Sequence, residues 1–352
     1  MSAVHFIVPA GIDDPAQPSG GNAYDRRIAR GLAAESWTMY LHEVPGPWPR
    51  REARSLRALA AVVGGIPDGA LVMLDGLVAS PAPDVIGSEA GRLRLVVLVH
   101  MPLGLGTTDG GAREREGAVL RVAASVVTTS EWARRALLEL YFLPGDHVRV
   151  AEPGVDRAEL APGTEGAGAL LSVAAVIPGK GHDVLLDALA PLAGLRWHCR
   201  CIGSLERDPA FVERLRRRVL DGGMDGRVRF SGPQPEADLA SSYAAADVLV
   251  LPSRAETYGM VIAEALARGV PVIAAEVGGV PEALGHGVDG ARPGLLVPPG
   301  DPAALGDALR AWLDDAGLRR RLRVAARERR ASLMEWSTTT SAVADVLQGV
   351  AR

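Results

Sequence analysis

The chain has 352 residues, 48% hydrophobic and 23% charged, which excludes a disordered or fibrous chain and, at roughly 100 to 200 residues per domain, points to two domains. A formal net charge of −4 and 4% aromatic residues supply neither a global basic field for nucleic acid or an anionic bilayer nor rows of rings for stacking bases, so no nucleic-acid partner is expected. The opening "MSAVHFIVPAG" has no basic n-region, and no apolar run reaches the ~20 residues of a membrane span, so the expected location is the cytoplasm.

Taken in order, "VHFIVPA" (4–10), "ALVMLDG" (70–76), "LRLVVLVH" (93–100) and "ASVVTTS" (124–130) are continuous apolar runs, the pattern of strands covered on both faces in a parallel sheet. Helices are predicted between them over 22–34, 49–63 and 130–141, the last capped by the Ser130 hydroxyl. The pattern restarts with six strand candidates, "LLSVAAVIPG" (170–179), "WHCRCIG" (197–203), "RVRFSG" (227–232), "DVLVLPS" (247–253), "PVIAAEVGG" (271–279) and "GLLVPPG" (294–300). The Gly-, Pro- and acid-rich stretch 152–169 reads as an exposed linker. The fold class is therefore α/β, two Rossmann-like domains with parallel sheets and an inter-domain cleft, over 1–160 and 161–335, with a C-terminal helix over 336–352 packing back towards the first domain.

Cys199 and Cys201 fall on one face of a predicted strand, a spacing poor for a disulfide, and read as buried free thiols. The arginines at 319, 320, 321, 323, 327, 329 and 330 read as a solvated helix face, with an acidic membrane or partner surface as the alternative. Arg26, Arg27 and Arg30 likewise leave a peripheral contact at the inner membrane surface open.

The most informative stretch is "PSRAETYGMVIAEALARGVPVIAAEVGGVPE" (252–282). A strand ends at Pro252, and a helix is predicted whose first turn holds Thr257, Tyr258 and Gly259, so its free N–H groups suit a phosphate. Glu256 and Glu264, eight residues apart on one helical edge, can hold separate hydroxyls of one extended ligand. The plainer readings are a helix cap and a solvated side chain. Gly20 and Gly21 allow close approach of a phosphate to the backbone, or form a plain turn. His100 closes an apolar strand, where a structural role is the alternative. Lys180, after "PG", is by itself an ordinary solvated lysine.

The succession Pro-Ser, Glu, aromatic-Gly, Glu-Ala, Gly-x-Pro-Val and Gly-Gly-x-Pro-Glu resembles the E-x7-E region of retaining glycosyltransferases of the GT-B fold (glycosyltransferase family 4, glycosyl transferases group 1). "PSGGNAYDRRIARGLA", "VVLVHMPLG" and "IPGKGHDVLLDAL" extend the likeness over nearly the whole chain. The resemblance implies transfer of a sugar from a nucleoside diphosphate sugar, UDP mildly preferred and GDP an alternative, to a hydroxyl of an unknown small-molecule, glycan or lipid-linked acceptor. It implies no cofactor or metal, front-side attack, and domain closure over the reacting groups. It places His100, Glu256 and Lys180 at the reacting centre. For donor binding it adds Gly20, Gly21, Thr257, Tyr258, Gly259 and Met260 around sugar and phosphate, and Glu264 on the ribose. Many relatives carry Gly-Arg-Leu where this chain has Ala174, Ala175 and Val176, so a second cation is missing unless Arg254 supplies it.

The alternatives stay within the same fold: an epimerase, a phosphorylase, a non-sugar coupling enzyme, or a catalytically silent nucleotide-sugar-binding module. A dinucleotide oxidoreductase is disfavoured because "GLGTTDG" and "GAGALL" do not form G-x-G-x-x-G between a strand and a helix.

Overall fold

The computed structural model describes residues 2–15, 18–105 and 109–352; the centre of "GLGTTDG" and the first methionine lie outside them. The chain divides into two compact units. Unit 1 comprises Met1–Asp13, Gly20–Gly154 and Met334–Arg352, and unit 2 comprises Asp14–Ser19 and Val155–Leu333.

Unit 1 begins β1 (Ala3–Pro9), α1 (Gly20–Ala34), β2 (Thr38–Val44), α2 (Ala53–Gly64), β3 (Leu71–Asp75), α3 (Gly76–Ala79) and α4 (Pro83–Glu89). It continues β4 (Arg94–Val99), α5 (Ala112–Val122), β5 (Ser125–Thr128), α6 (Glu131–Tyr141) and β6 (Val148–Val150). All six strands are parallel, in the order β2-β1-β3-β4-β5-β6. The four strands expected from continuous apolar runs are present, and the two not foreseen, β2 and β6, are its edges. β2, "TMYLHEV", keeps most of its residues at least partly exposed, so it lacks the unbroken apolar run of a strand covered on both faces. Ser130 caps α6 by accepting from the Ala133 amide at 3.0 Å. The helix expected from residue 49 starts only at Ala53, because residues 47–50 are taken up by a turn closed by the Arg50 amide on the Pro47 carbonyl. Leu59 and Val63 of α2 are fully buried against Ile7, Val72 and Leu74, each contributing about 1.5–3 kcal/mol by leaving water.

Unit 2 contains β7 (Ala169–Val173), a 3-10 turn (Pro178–Lys180), α7 (His182–Leu189), β8 (His198–Ile202), α8 (Pro209–Asp221), β9 (Val228–Phe230) and α9 (Glu236–Ala244). After these come β10 (Val248–Leu251), α10 (Met260–Ala267), β11 (Val272–Ala275), α11 (Val280–Leu284), β12 (Gly294–Val297), α12 (Pro302–Asp314) and α13 (Ala316–Arg329). All six expected strands form, again all parallel, in the order β12-β11-β10-β7-β8-β9. Cys199 and Cys201 are both buried and free on β8. The last helix, α14 (Trp336–Ala351), belongs to unit 1, where it lies on α1 so closely that a side chain at Gly31 would strike Thr340.

Two readings need correction. The stretch 152–169 does join the two units and is exposed at 156–157, 159–160, 162 and 164–166, but it is not loose. The Ala161 amide donates to Arg268 O, and Thr164 binds the buried Asp247 through both its amide (2.7 Å) and its hydroxyl (2.5 Å). The arginine-rich face of α13 is only partly solvated: Arg323 pairs with Asp247 at 3.0 Å, Arg319 donates to the Trp312 and Leu313 carbonyls, and Arg329 donates to Leu284 O. These arginines hold the helix to its own unit. No helix among the described residues is long and apolar enough to cross a membrane.

Candidate functional site

In an open parallel sheet the strand order reverses at one point, and the loops leaving the two strands there diverge to open a crevice at their carboxyl ends. In unit 2 that point lies between β7 and β10, and it is where the expected residues gather. Lys180 Nζ donates to Glu256 Oε1 at 2.5 Å, and Ser253 Oγ donates to the same oxygen at 3.0 Å. The backbone fixes this meeting. The Arg254 amide donates to Gly179 O at 2.9 Å, and Gly181, at φ +70°, lies so near Pro252 that a Cβ would stand 2.0 Å from its carbonyl oxygen. A third loop, after β11, joins them: the Gly279 amide donates to Glu256 O at 3.1 Å, and a Cβ at Gly279 would stand 2.1 Å from Thr257 O. Lys180 has three N–H donors, and the Glu256 contact uses one.

The helix expected to include Thr257, Tyr258 and Gly259 in its first turn starts later. α10 runs from Met260, with Gly259 as its cap in the left-handed region at φ +93° and no side-chain cap. Thr257 and Tyr258 therefore belong to the preceding loop, Tyr258 buried. Glu256 and Glu264 consequently do not share one helical edge, since Glu256 stands in the loop and Glu264 a turn inside the helix. Glu264 accepts a hydrogen bond from Tyr243 Oη at 2.8 Å, and the Arg268 guanidinium lies 4.8 Å from the Tyr243 ring centre. Tyr243 is a partner that sequence spacing did not indicate.

Arg254 does not stand free to replace the missing cation at Ala175. Its guanidinium forks onto Asp183, Nη1 to Oδ1 at 2.8 Å and Nη2 to Oδ2 at 2.7 Å, and donates to Pro178 O at 2.6 Å. Burial would raise the Asp183 carboxyl, but the hydrogen bonds and charge of Arg254 outweigh it and hold the carboxyl below its usual range. The paired charge is spent on fastening α7 to the Glu256 loop.

His100, Gly20 and Gly21 lie in unit 1. His100 follows β4, and its Nε2 meets Asp25 Oδ1 at 2.7 Å. Asp25, on α1, is fully buried, and so, at the end of β3, is Asp75, whose Oδ1 accepts from the Leu77 amide at 2.7 Å and caps α3. The Gly21 position, read as room for a phosphate, is room for the imidazole here: a Cβ would stand 3.1 Å from His100 Cδ2. Tyr24 presents an edge to the same ring. The loop following His100 is held by the buried Glu116, which accepts from the Gly104 amide at 2.9 Å, from Ser80 Oγ at 3.0 Å and from the Tyr141 hydroxyl. Asp25 and Asp75 are missed by motif reading. The one signal for Asp75 is a lone acid closing the otherwise apolar run "LVMLD".

Burial would lower the His100 imidazole, but the charge and hydrogen bond of Asp25 outweigh it and raise it to about 9. Because the folded value lies above the ordinary 6.5, the stability this group contributes is complete below about pH 6.5 and is lost as pH rises through about 9. Thermal melts between pH 6 and 10 are expected to show Tm falling across that window, by several degrees. Asp75, whose buried carboxyl is pushed up to about 8, adds to the fall below that pH, so His100→Gln reduces the fall, most clearly between about pH 8 and 9, and an equal slope there in the variant would remove His100 as its source.

Residues 162–329 match the family model for Glycosyl transferases group 1. This segment is a group 1 glycosyl transferase domain. Among similar proteins, the D-inositol 3-phosphate glycosyltransferase of Jonesia denitrificans is 35% identical over 246 residues, 64% of this chain and 57% of the relative. The enzyme of the same name, numbered 1, from Catenulispora acidiphila is 34% identical over 263 residues, 65% of this chain and 61% of the relative. The chain thus spans between half and two thirds of the length of these curated relatives. HepE of Anabaena, solved with UDP-glucose, superposes with a TM-score of 0.80 at 18% identity, covering 99% of this chain and all of HepE. Sucrose-phosphate synthase of Thermosynechococcus elongatus gives 0.78 at 23% identity, with 99% of each chain covered. At these identities the likeness speaks for the fold, which is GT-B.

Proposed function

We propose that the protein is a retaining glycosyltransferase that moves a sugar from a nucleoside diphosphate sugar to an acceptor hydroxyl. The observation that carries this reading is the Lys180–Glu256 pair at the switch point of unit 2, inside the segment matching the group 1 glycosyl transferases. A diphosphate leaves with growing negative charge. The two uncommitted N–H donors of Lys180 and the amides beginning α10 stabilise that charge most when it is fully developed, which lowers the barrier. In this reading the charge is met without a metal. Glu256, turned towards Lys180 by Ser253, contacts the transferred sugar. Glu264, steadied by Tyr243, takes the ribose. His100, with Nε2 committed to Asp25, offers Nδ1 to the reacting sugar. With no nucleophile required, the acceptor hydroxyl attacks from the side the phosphate leaves, passing its proton to the departing oxygen.

The donor preferred on present grounds is a UDP-sugar, since a fold neighbour binds UDP-glucose. The acceptor to test first is the inositol 3-phosphate named for the curated relatives. The experiment is release of nucleoside diphosphate from UDP-glucose, UDP-N-acetylglucosamine and GDP-mannose, with and without inositol 3-phosphate and with and without EDTA. Acceptor-dependent release that EDTA leaves intact, with the anomeric configuration of the donor kept in the product, supports the whole reading. Inversion of that configuration overturns retention, and loss of release in EDTA overturns the metal-free step. A second reading, the silent module, is favoured by the engagement of Arg254 with Asp183. Nucleotide binding without release from any donor would establish it in place of the first.

A further inference from the structure

Three neighbouring strands of unit 1 deliver three titratable groups to one place. Asp25 comes from the helix after β1, Asp75 from the end of β3 and His100 from the end of β4, and β1 pairs with β3 as β3 pairs with β4. One donor atom from each of the three lies within 4.8 Å of the other two. Asp25 is 0% exposed and Asp75 1%. Each carboxyl has one oxygen accounted for, Asp25 by His100 and Asp75 by the Leu77 amide. The second oxygen of each, Asp25 Oδ2 and Asp75 Oδ2, is buried and meets no hydrogen-bond donor among the described residues.

Two buried carboxylates facing one imidazolium would leave an uncompensated negative charge out of water, which is strongly unfavourable. A single proton placed between them removes that charge and turns repulsion into an O–H···O hydrogen bond, which satisfies both orphaned oxygens. Asp75 is the better site for it, because Asp25 already receives a hydrogen bond from His100.

We propose that Asp75 is a positioning residue of the His100 site, its neutral carboxyl donating a hydrogen bond to Asp25 and thereby fixing the carboxylate that orients the imidazole. Burial, then the charge of Asp25, push the Asp75 carboxyl up to about 8, in the same sense. Among the described residues, the titratable groups facing the ring are Asp25 and Tyr24 on α1 and Asp75 at the end of β3. The catalytic consequence rests on the role given to His100 under the proposed function; the hydrogen-bonded relay itself does not.

The test is an NMR titration of the His100 imidazole in the full chain, beside turnover, in the native protein, Asp75→Asn and Asp75→Ala. An asparagine amide can donate the same hydrogen bond and carries no charge. In Asp75→Asn the His100 midpoint is therefore expected within about half a pH unit of native. Asp75→Ala is expected to lower kcat about tenfold or more with KM little changed, and Asp75→Asn to rescue most of that loss. A His100 midpoint lower by about one pH unit or more in Asp75→Asn would show that Asp75 acts as a charge and overturn the proposal. So would one equivalent of Zn²⁺ or Mn²⁺ bound by the native protein and lost in Asp75→Asn, since the three groups would then be ligands. Should Asp75→Ala fail to fold, the asparagine variant decides through the midpoint alone. Should the native protein show no turnover, the glycosyltransferase reading fails while the titration still judges the relay.

Discussion

Lys180→Ala is expected to lower turnover of the nucleotide-sugar donor by about 10²- to 10³-fold, the effect of removing one preorganised donor from a developing oxyanion. Affinity for the bare nucleoside is expected to change little, because base and ribose do not reach the lysine in the proposed arrangement. The loss has a second source. Glu256, with its side chain only 11% exposed, keeps Ser253 but loses the ammonium at 2.5 Å, and a largely buried carboxylate left without its counter-charge shifts in position. Lys180→Arg is expected to recover little, since a planar fork does not replace a compact ammonium between two loops. Steady-state kinetics with a fluorescence titration of the bare nucleoside separates the two constants; parallel losses in both would make Lys180 a determinant of binding instead of a charge for the leaving group.

Gly181→Ala is expected to be the most damaging single methyl addition near this site. The position combines φ +70° with a Cβ that would stand 2.0 Å from the backbone oxygen of Pro252, so the side chain is strained and has no flexible neighbour to displace. Destabilisation above about 3 kcal/mol follows, together with separation of the loops that bring Lys180 to Glu256. Urea unfolding measures the first effect and donor turnover the second. Gly179→Ala is the control, since a Cβ there meets nothing within 4 Å. Equal behaviour of the two variants would refute the close approach of these loops.

The central strands were legible because burial on both faces writes itself as an unbroken apolar run, as in "LVMLD" and "RLVVLV". The edge β2 shares that environment on neither face, and β6 is three residues long; propensity alone does not separate either from loop. Within the site, the residue types in 252–282 and at Lys180 were readable. What brings them together was not. Lys180 and Glu256 are 76 residues apart and meet because β10 lies beside β7 in the sheet. The start of α10 was misplaced for a related reason: a glycine at 259 is compatible with many conformations, and only the fold selects φ +93°. Asp25 and Asp75 escaped notice because a buried acid's function depends on its neighbours, and those neighbours come from other strands.

The return of α14 to unit 1 carries a consequence for biosynthesis. Thr339, Thr340, Val343, Ala344 and Leu347 are buried in that unit although they follow the whole of unit 2 in the chain. As the polypeptide leaves the ribosome, residues 155–333 emerge before the segment that covers α1, so unit 2 can complete its core while unit 1 still awaits its final helix. A released chain truncated after residue 333 would then hold a protease-resistant second unit beside a first unit still open to digestion and to chaperones.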